Sequence, residues 1–158
     1  MYVVNSTFTG SNGTAPQAGI DIEPMTQGTT QHIRLENTML ANNAGNGLEI
    51  HDYVSDLTVN KVTSENNKGY GVFANSPNGV AITNSTLTEN YLFGVDIGGV
   101  TSNVQLVGNT INYNGAAWFV AHNVSVFTSG WVPRDITISS TATNVTQFNN
   151  IVSPLRTK

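Results

Sequence analysis

The chain has 158 residues, no cysteine, a formal net charge of −4 and only 10% charged residues. That length sets one domain. The missing cysteines exclude a disulfide framework and a thiolate metal centre, and so few basic residues exclude the electrostatic footprint of a nucleic-acid binder. No apolar run reaches the roughly 18 residues of a membrane-spanning helix, so no membrane partner is expected, and the opening Met1-Tyr2-Val3-Val4-Asn5 lacks the basic-then-apolar order of a secretory signal.

Short β-branched runs recur from the first residues onward. Val3, Phe8 and the pair Ile20/Ile22 form the fragment of a first unit, with a lengthened turn at residues 11–18. Full units then open at Ile33, Leu57, Val80 and Val104, spaced by 24, 23 and 24 residues. Each opens with apolar residues two apart (Ile33/Leu35, Leu57/Val59, Val80/Ile82, Val104/Leu106). A middle slot follows at Leu40, Leu87 and Ile111, with Ser64 as the exception. Each closes on a second pair: Leu48/Ile50, Val72/Ala74, Val95/Ile97 and Phe119/Ala121. Alternation with period two predicts strands with one buried face, so each unit is three short strands wound into one coil. Residues 122–135, with Trp131 and Pro133, read as an irregular loop, and residues 136–158 as a degenerate last unit carrying Ile136/Ile138 and Ile151. Helical periodicity is absent.

Polar columns run beside the apolar ones. Asn5, Asn37 and Asn84 share one turn slot, from which Lys61 and Gly108 depart, and Asn43, Asn67, Asn90 and Asn114 share another without a break. Asparagine suits both the left-handed conformation and hydrogen bonding to the next coil's backbone. Gly19, Gly47, Gly71 and Gly94 mark the bend into the closing strand, where Trp118 breaks the pattern. The glycosylation sequons at Asn5, Asn12, Asn84, Asn123 and Asn144 read as turn chemistry in a chain this rich in asparagine.

The coincidence of apolar, asparagine and glycine columns resembles the repeats of the pectin-lyase-like superfamily, over about residues 3–121. The resemblance implies an all-β fold, a right-handed single-stranded parallel β-helix of about five or six coils, with residues 1–158 as one domain. That superfamily includes pectate lyases, polygalacturonases, alginate epimerases and lyases, and phage tailspikes that cut surface polysaccharides. The run Gly19-Ile20-Asp21-Ile22-Glu23-Pro24 resembles its polysaccharide-processing members. A polysaccharide partner and an extracellular or virion-surface location follow from the resemblance, as does a possible homotrimer of the tailspike kind. Such proteins cover their first coil, so Met1 leading straight into a strand is expected to mean a piece of a longer protein, or ends covered by oligomerisation.

Residues between the two buried ones of each closing strand face outward. Stacked coils place Asp21, Glu49, Phe73, Asp96 and Val120 in one column, and Glu23, His51, Asn75, Gly98 and His122 in a second. At about 4.8 Å per coil, Asp21 and Glu49 are expected roughly 5 Å apart, and Glu49 and Asp96 roughly 10 Å apart across Phe73. Retaining glycosidases hold their carboxyls at about 5–5.5 Å and inverting ones at about 6.5–9.5 Å, so both pairs are candidates. Neighbouring carboxylates are expected to raise one another's pKa. Glu49 and Asp96 are therefore the candidate acid/base pair, with Asp21 the alternative partner of Glu49. Phe73 is the candidate sugar platform, and His51, Glu23 and Asn75 are candidate substrate-binding groups. Trp118, Phe119 and Trp131 read as core filling before a sugar subsite.

Two other readings stand beside cleavage. One is a non-catalytic structural or carbohydrate-binding stalk whose carboxylates are merely solvated. The other is elimination or C5-epimerisation at a uronic acid, with His51 and Tyr53 carrying protons. The Asp-Asp and Gly-His-Gly signatures of polygalacturonases are absent, as is an Arg or Lys in the acidic columns of the kind pectate lyases use. Glu49-Ile50-His51-Asp52-Tyr53 is only loosely similar to the Asp-Pro-His motif of alginate epimerases and lyases. No cofactor is expected. Oxygen ligands at Asp21, Glu23 and Glu49 suit calcium, but the glycine-rich nonapeptide of calcium rolls is missing, so the sequence assigns no metal.

Overall fold

A computed structural model describes residues 1–24, 28–115 and 134–153. It is built of strands joined by tight turns, and all pairings between neighbouring strands are parallel. The opening strands are β1 (Tyr2–Val4), β4 (Thr30–Glu36), β7 (Val54–Asn60), β10 (Asn78–Thr83), β13 (Ser102–Val107) and β16 (Thr143–Phe148). The middle strands are β2 (Thr7–Thr9), β5 (Met39–Ala41), β8 (Thr63–Glu65), β11 (Thr86–Thr88), β14 (Thr110–Asn112) and β17 (Ile151–Val152). The closing strands are β3 (Ile20–Ile22), β6 (Leu48–Ile50), β9 (Val72–Asn75), β12 (Val95–Gly98) and β15 (Ile136–Ile138). Each class forms one sheet in coil order, two of six strands and one of five. This is the expected β-helix.

The apolar pairs fill the coil interior. Leu35, Val59, Ile82 and Leu106 are all fully buried and lie in register across the first sheet. Ser64, the polar exception, is buried as well; its hydroxyl donates to the Gly71 carbonyl at 2.8 Å and accepts from Asn67 Nδ2 at 3.1 Å. The exception thus serves the hydrogen bonding of the turn rather than the apolar core.

Two expectations about the turns divide differently. In the first asparagine slot Asn5, Asn37 and Asn84 have φ of 50°, 48° and 50°, and Lys61 and Gly108 adopt the same hand at 53° and 66°. The slot fixes the conformation whatever residue fills it. In the second slot the left-handed residue is the one before: Asn42, Asn66, Glu89 and Tyr113. Asn43, Asn67, Asn90 and Asn114 are instead buried and form an amide ladder, Nδ2 to Oδ1, at 2.9 Å per step. The ladder ends where Asn114 Nδ2 donates to Asp135 Oδ1 at 3.0 Å. An anion there accepts from a file of amides all polarised in one direction.

The repeat glycines sit against that ladder. A Cβ on Gly71 would lie 2.5 Å from the Gly94 carbonyl oxygen and 2.8 Å from Asn90 Nδ2. Close approach, and not a left-handed turn, therefore explains the glycine column.

One expected register changes. β15 occupies the closing slot, with Val95 beside Ile136 and Ile97 beside Ile138. Ile136/Ile138 therefore complete the coil begun by β13, where Phe119/Ala121 were expected, and the last coil opens at β16, with Val145 beside Val104. Both pairs have the same spacing, so only the register separates them. Trp118, Phe119, Val120 and Ala121, and His122 and Trp131 of the expected loop, lie outside the described residues.

Candidate functional site

The outer face of the closing sheet holds the acidic column. Register places Asp21 beside Glu49, Glu49 beside Phe73, Phe73 beside Asp96, and Asp96 beside Thr137. Thr137 takes the position expected for Val120. Each of these residues is flanked along its strand by inward-facing apolar neighbours, and that alternation forces it outward.

His51 gathers the upper part of the column. It follows β6, two residues beyond Glu49 on the same face, and its Nε2 lies 3.2 Å from Glu49 Oε1 and 3.4 Å from Asp21 Oδ1. Glu49 is further held by Asn46, whose Nδ2 donates to Oε2 at 2.8 Å while its Oδ1 accepts the Tyr70 N–H at 2.8 Å. Only 12% of the Glu49 side chain is exposed, so its carboxylate is fixed from both sides. Asp21, Glu23 and His51 each offer one donor atom, all within 4.8 Å of one another. They form a set able to hold a cation where the sequence assigned none. A cavity of about 430 Å³ opens beside Asp21, walled by the long turn from Ser11 to Ala18.

The lower part of the column is aromatic. Phe73 stacks on Tyr70 at 5.1 Å between ring centroids, and Tyr70 stacks on Phe93 at 5.8 Å. Tyr70 escaped the sequence reading. Its signal was the residue before each repeat glycine (Asn46, Tyr70 and Phe93), a third column in which Asn46 and Tyr70 are half-buried and Phe93 is buried. Tyr53, the phenol considered as a proton carrier, stands in the turn after β6 and is 60% exposed. Asn75, paired with Gly98, is exposed and accepts from Ser76 Oγ at 3.4 Å. Arg34 lies on another sheet, paired with Glu36 at 2.9 Å.

Electrostatics sharpen the roles. Burial raises the Asp96 carboxyl above its ordinary value. Burial also raises Asp21; the charge of His51 opposes this and the charge of Glu23 adds to it. Tyr70 is raised by burial and by the negative charges of Asp96 and Glu49. The expected mutual repulsion of the three column carboxylates is therefore not what lifts Asp96; removal from water does so.

A family model described as a right-handed β-helix region matches residues 1–153. A search of curated proteins finds no match. Among solved structures the chain resembles the A-module of a mannuronan C-5 epimerase from Azotobacter vinelandii, with a TM-score of 0.57 and 16% sequence identity. The match covers 99% of this chain and 55% of that one, so the chain spans about half the length of the module. At that identity the likeness concerns the fold. Parallel coils along the described chain and a family model matched over nearly all of it give one conclusion: the protein belongs to the right-handed β-helix family.

Proposed function

We propose that the outer face of the closing sheet binds a surface or acidic polysaccharide and hydrolyses a glycosidic bond, with Asp96 as general acid and Glu49 as general base. The observation that carries the reading is the pairing of a carboxyl raised by burial, Asp96, with a clamped carboxylate, Glu49, across the aromatic ring of Phe73. A general acid has to hold its proton at the working pH, and removal from water does that for a carboxyl. Two strand steps separate the pair by roughly 10 Å along the coil axis, close to the span at which inverting enzymes admit a water beside the sugar. Asp96 would protonate the glycosidic oxygen as the bond to the anomeric carbon breaks. Glu49 would take a proton from the water whose oxygen bonds to that carbon. Phe73, backed by Tyr70, offers a flat apolar surface to a sugar ring, with His51, Glu23 and Asn75 as polar contacts and Asp21 as the alternative partner of Glu49.

A second reading has its own support. His51 and Tyr70 are both held against the acidic column, and the structurally similar A-module is that of an epimerase. Proton removal and return at a uronic acid by this pair is the alternative chemistry.

The full chain incubated with a panel of neutral and uronic-acid polysaccharides decides among the readings. Hydrolysis releases reducing ends without new ultraviolet absorbance, elimination creates an absorbing unsaturated sugar, and epimerisation does neither but changes the uronate composition. Glu49→Gln and Asp96→Asn are each expected to lower hydrolysis by at least about a hundredfold, in line with general acid–base catalysis. Full activity in both variants would sink the assignment, and binding without turnover across the panel would leave the stalk reading.

A further inference from the structure

We propose that Asp21, Glu23 and His51 form a site for one divalent transition-metal ion of the zinc class. The claim goes beyond glycan processing and requires no glycan for its test. The donors come from two adjacent coils. Asp21 and Glu23 stand two apart on one side of β3 and the residue following it, and His51 leaves the end of β6 on the neighbouring rung, where its backbone N–H donates to the Ile22 carbonyl at 3.2 Å. That bond holds His51 on the rung next to both acids, one residue beyond the Ile22–Ile50 pair.

The spacing suits a metal. Bonds of about 2.0–2.2 Å from nitrogen and carboxylate oxygen to zinc put neighbouring ligand atoms roughly 3.0–3.5 Å apart in a coordination sphere. His51 Nε2 and Asp21 Oδ1 already stand at 3.4 Å. Glu23 is exposed, and its long side chain needs only rotation to bring its oxygen in from the 4.8 Å within which the three donors lie. Asp21 also lines the cavity of about 430 Å³, from which water would complete the sphere on that side.

The donor set also chooses the ion. Calcium and magnesium favour shells of oxygen alone, whereas imidazole suits zinc, copper, iron and nickel, and carboxylates complete such sites. One imidazole with two carboxylates therefore points to a transition metal before calcium. Glu49 approaches the same Nε2 at 3.2 Å, but its other oxygen is engaged by Asn46. It would accept a hydrogen bond from metal-bound water and stand outside the ligand set.

The test titrates the full chain with zinc chloride, and separately with calcium chloride, by isothermal titration calorimetry in a non-chelating buffer. One zinc ion per chain is expected, at least about tenfold weaker in His51→Gln and Asp21→Asn, unchanged in the exposed-histidine control His32→Gln, and tighter than calcium. Circular dichroism of each variant confirms its coils. If a variant fails to fold, Glu23→Gln, at an exposed position after the strand, supplies the same comparison. Absence of saturable zinc binding, binding indifferent to His51→Gln and Glu23→Gln, or calcium bound as tightly as zinc would each overturn the proposal.

Discussion

Replacing Asn67 by alanine puts the amide ladder to its most direct test. Asn67 is 1% exposed. Its Oδ1 accepts the Asn43 N–H at 3.1 Å and Asn43 Nδ2 at 2.9 Å, and its Nδ2 donates to the Leu40 carbonyl at 3.0 Å and to Asn90 Oδ1 at 2.9 Å. Alanine removes all four, together with the bond from Nδ2 to Ser64 Oγ at 3.1 Å. Asn90 Oδ1 keeps the Asn67 backbone N–H at 3.2 Å, and Asn43 Nδ2 keeps a long contact to the Phe8 carbonyl at 3.4 Å. The Asn43 N–H loses the side-chain acceptor that holds it, and the Leu40 carbonyl loses a donor. The Leu40 carbonyl keeps its place in the β5–β8 ladder, so the Asn43 N–H is the group left unsatisfied, and burying such a group costs about 1–3 kcal/mol. Against a total of about 5–15 kcal/mol for a domain, that is a large fraction. In a solenoid each coil touches only its neighbours, so the damage falls on one coil interface. Urea unfolding followed by circular dichroism measures it, with the exposed Asn75→Ala as control. A loss below about 1 kcal/mol, the worth of one ordinary hydrogen bond, would refute the account of the ladder.

Two further outcomes follow from the same packing. Gly71→Ala is expected to cost about 1–3 kcal/mol, the usual price of overpacking, because its Cβ would meet the Gly94 carbonyl at 2.5 Å; a melting temperature equal to wild type would contradict the close-approach reading. Asp96→Asn should alter the pH dependence of stability. A carboxyl raised by burial holds its proton more tightly folded than unfolded, so the stability it contributes is complete below the ordinary carboxylate pKa of 3.8. That contribution is lost as pH rises through the raised value. Asparagine never ionises, so the variant should gain on wild type as the pH climbs from about 3.5 to 7. Thermal melts across that range check this, and a difference independent of pH would count against it.

Much of the fold was legible because a solenoid writes its geometry into the chain one coil at a time. Leu48/Ile50, Val72/Ala74 and Val95/Ile97 announce their strands by alternation, and the constant spacing of about two dozen residues aligns them without any long-range information. Where the spacing breaks, alternation no longer fixes the register: only the strand beside them places Ile136/Ile138. The glycine and asparagine columns were visible as columns, but their work was not. Glycine in a turn and glycine under a carbonyl look alike in sequence, and the left-handed residue proved to precede the buried Asn67.

The same division runs through the candidate site. Period-two alternation by itself set Asp21, Glu49, Phe73 and Asp96 outward, because their neighbours had to face in. The contacts of His51 with Asp21 and Glu49, the clamp of Asn46 on Glu49, and the stacking of Tyr70 between Phe73 and Phe93 were decided only by the tertiary structure. Those contacts depend on side-chain rotamers and on depth below the surface. A repeat pattern specifies neither, since it records which face a residue occupies and not how far its polar atoms reach.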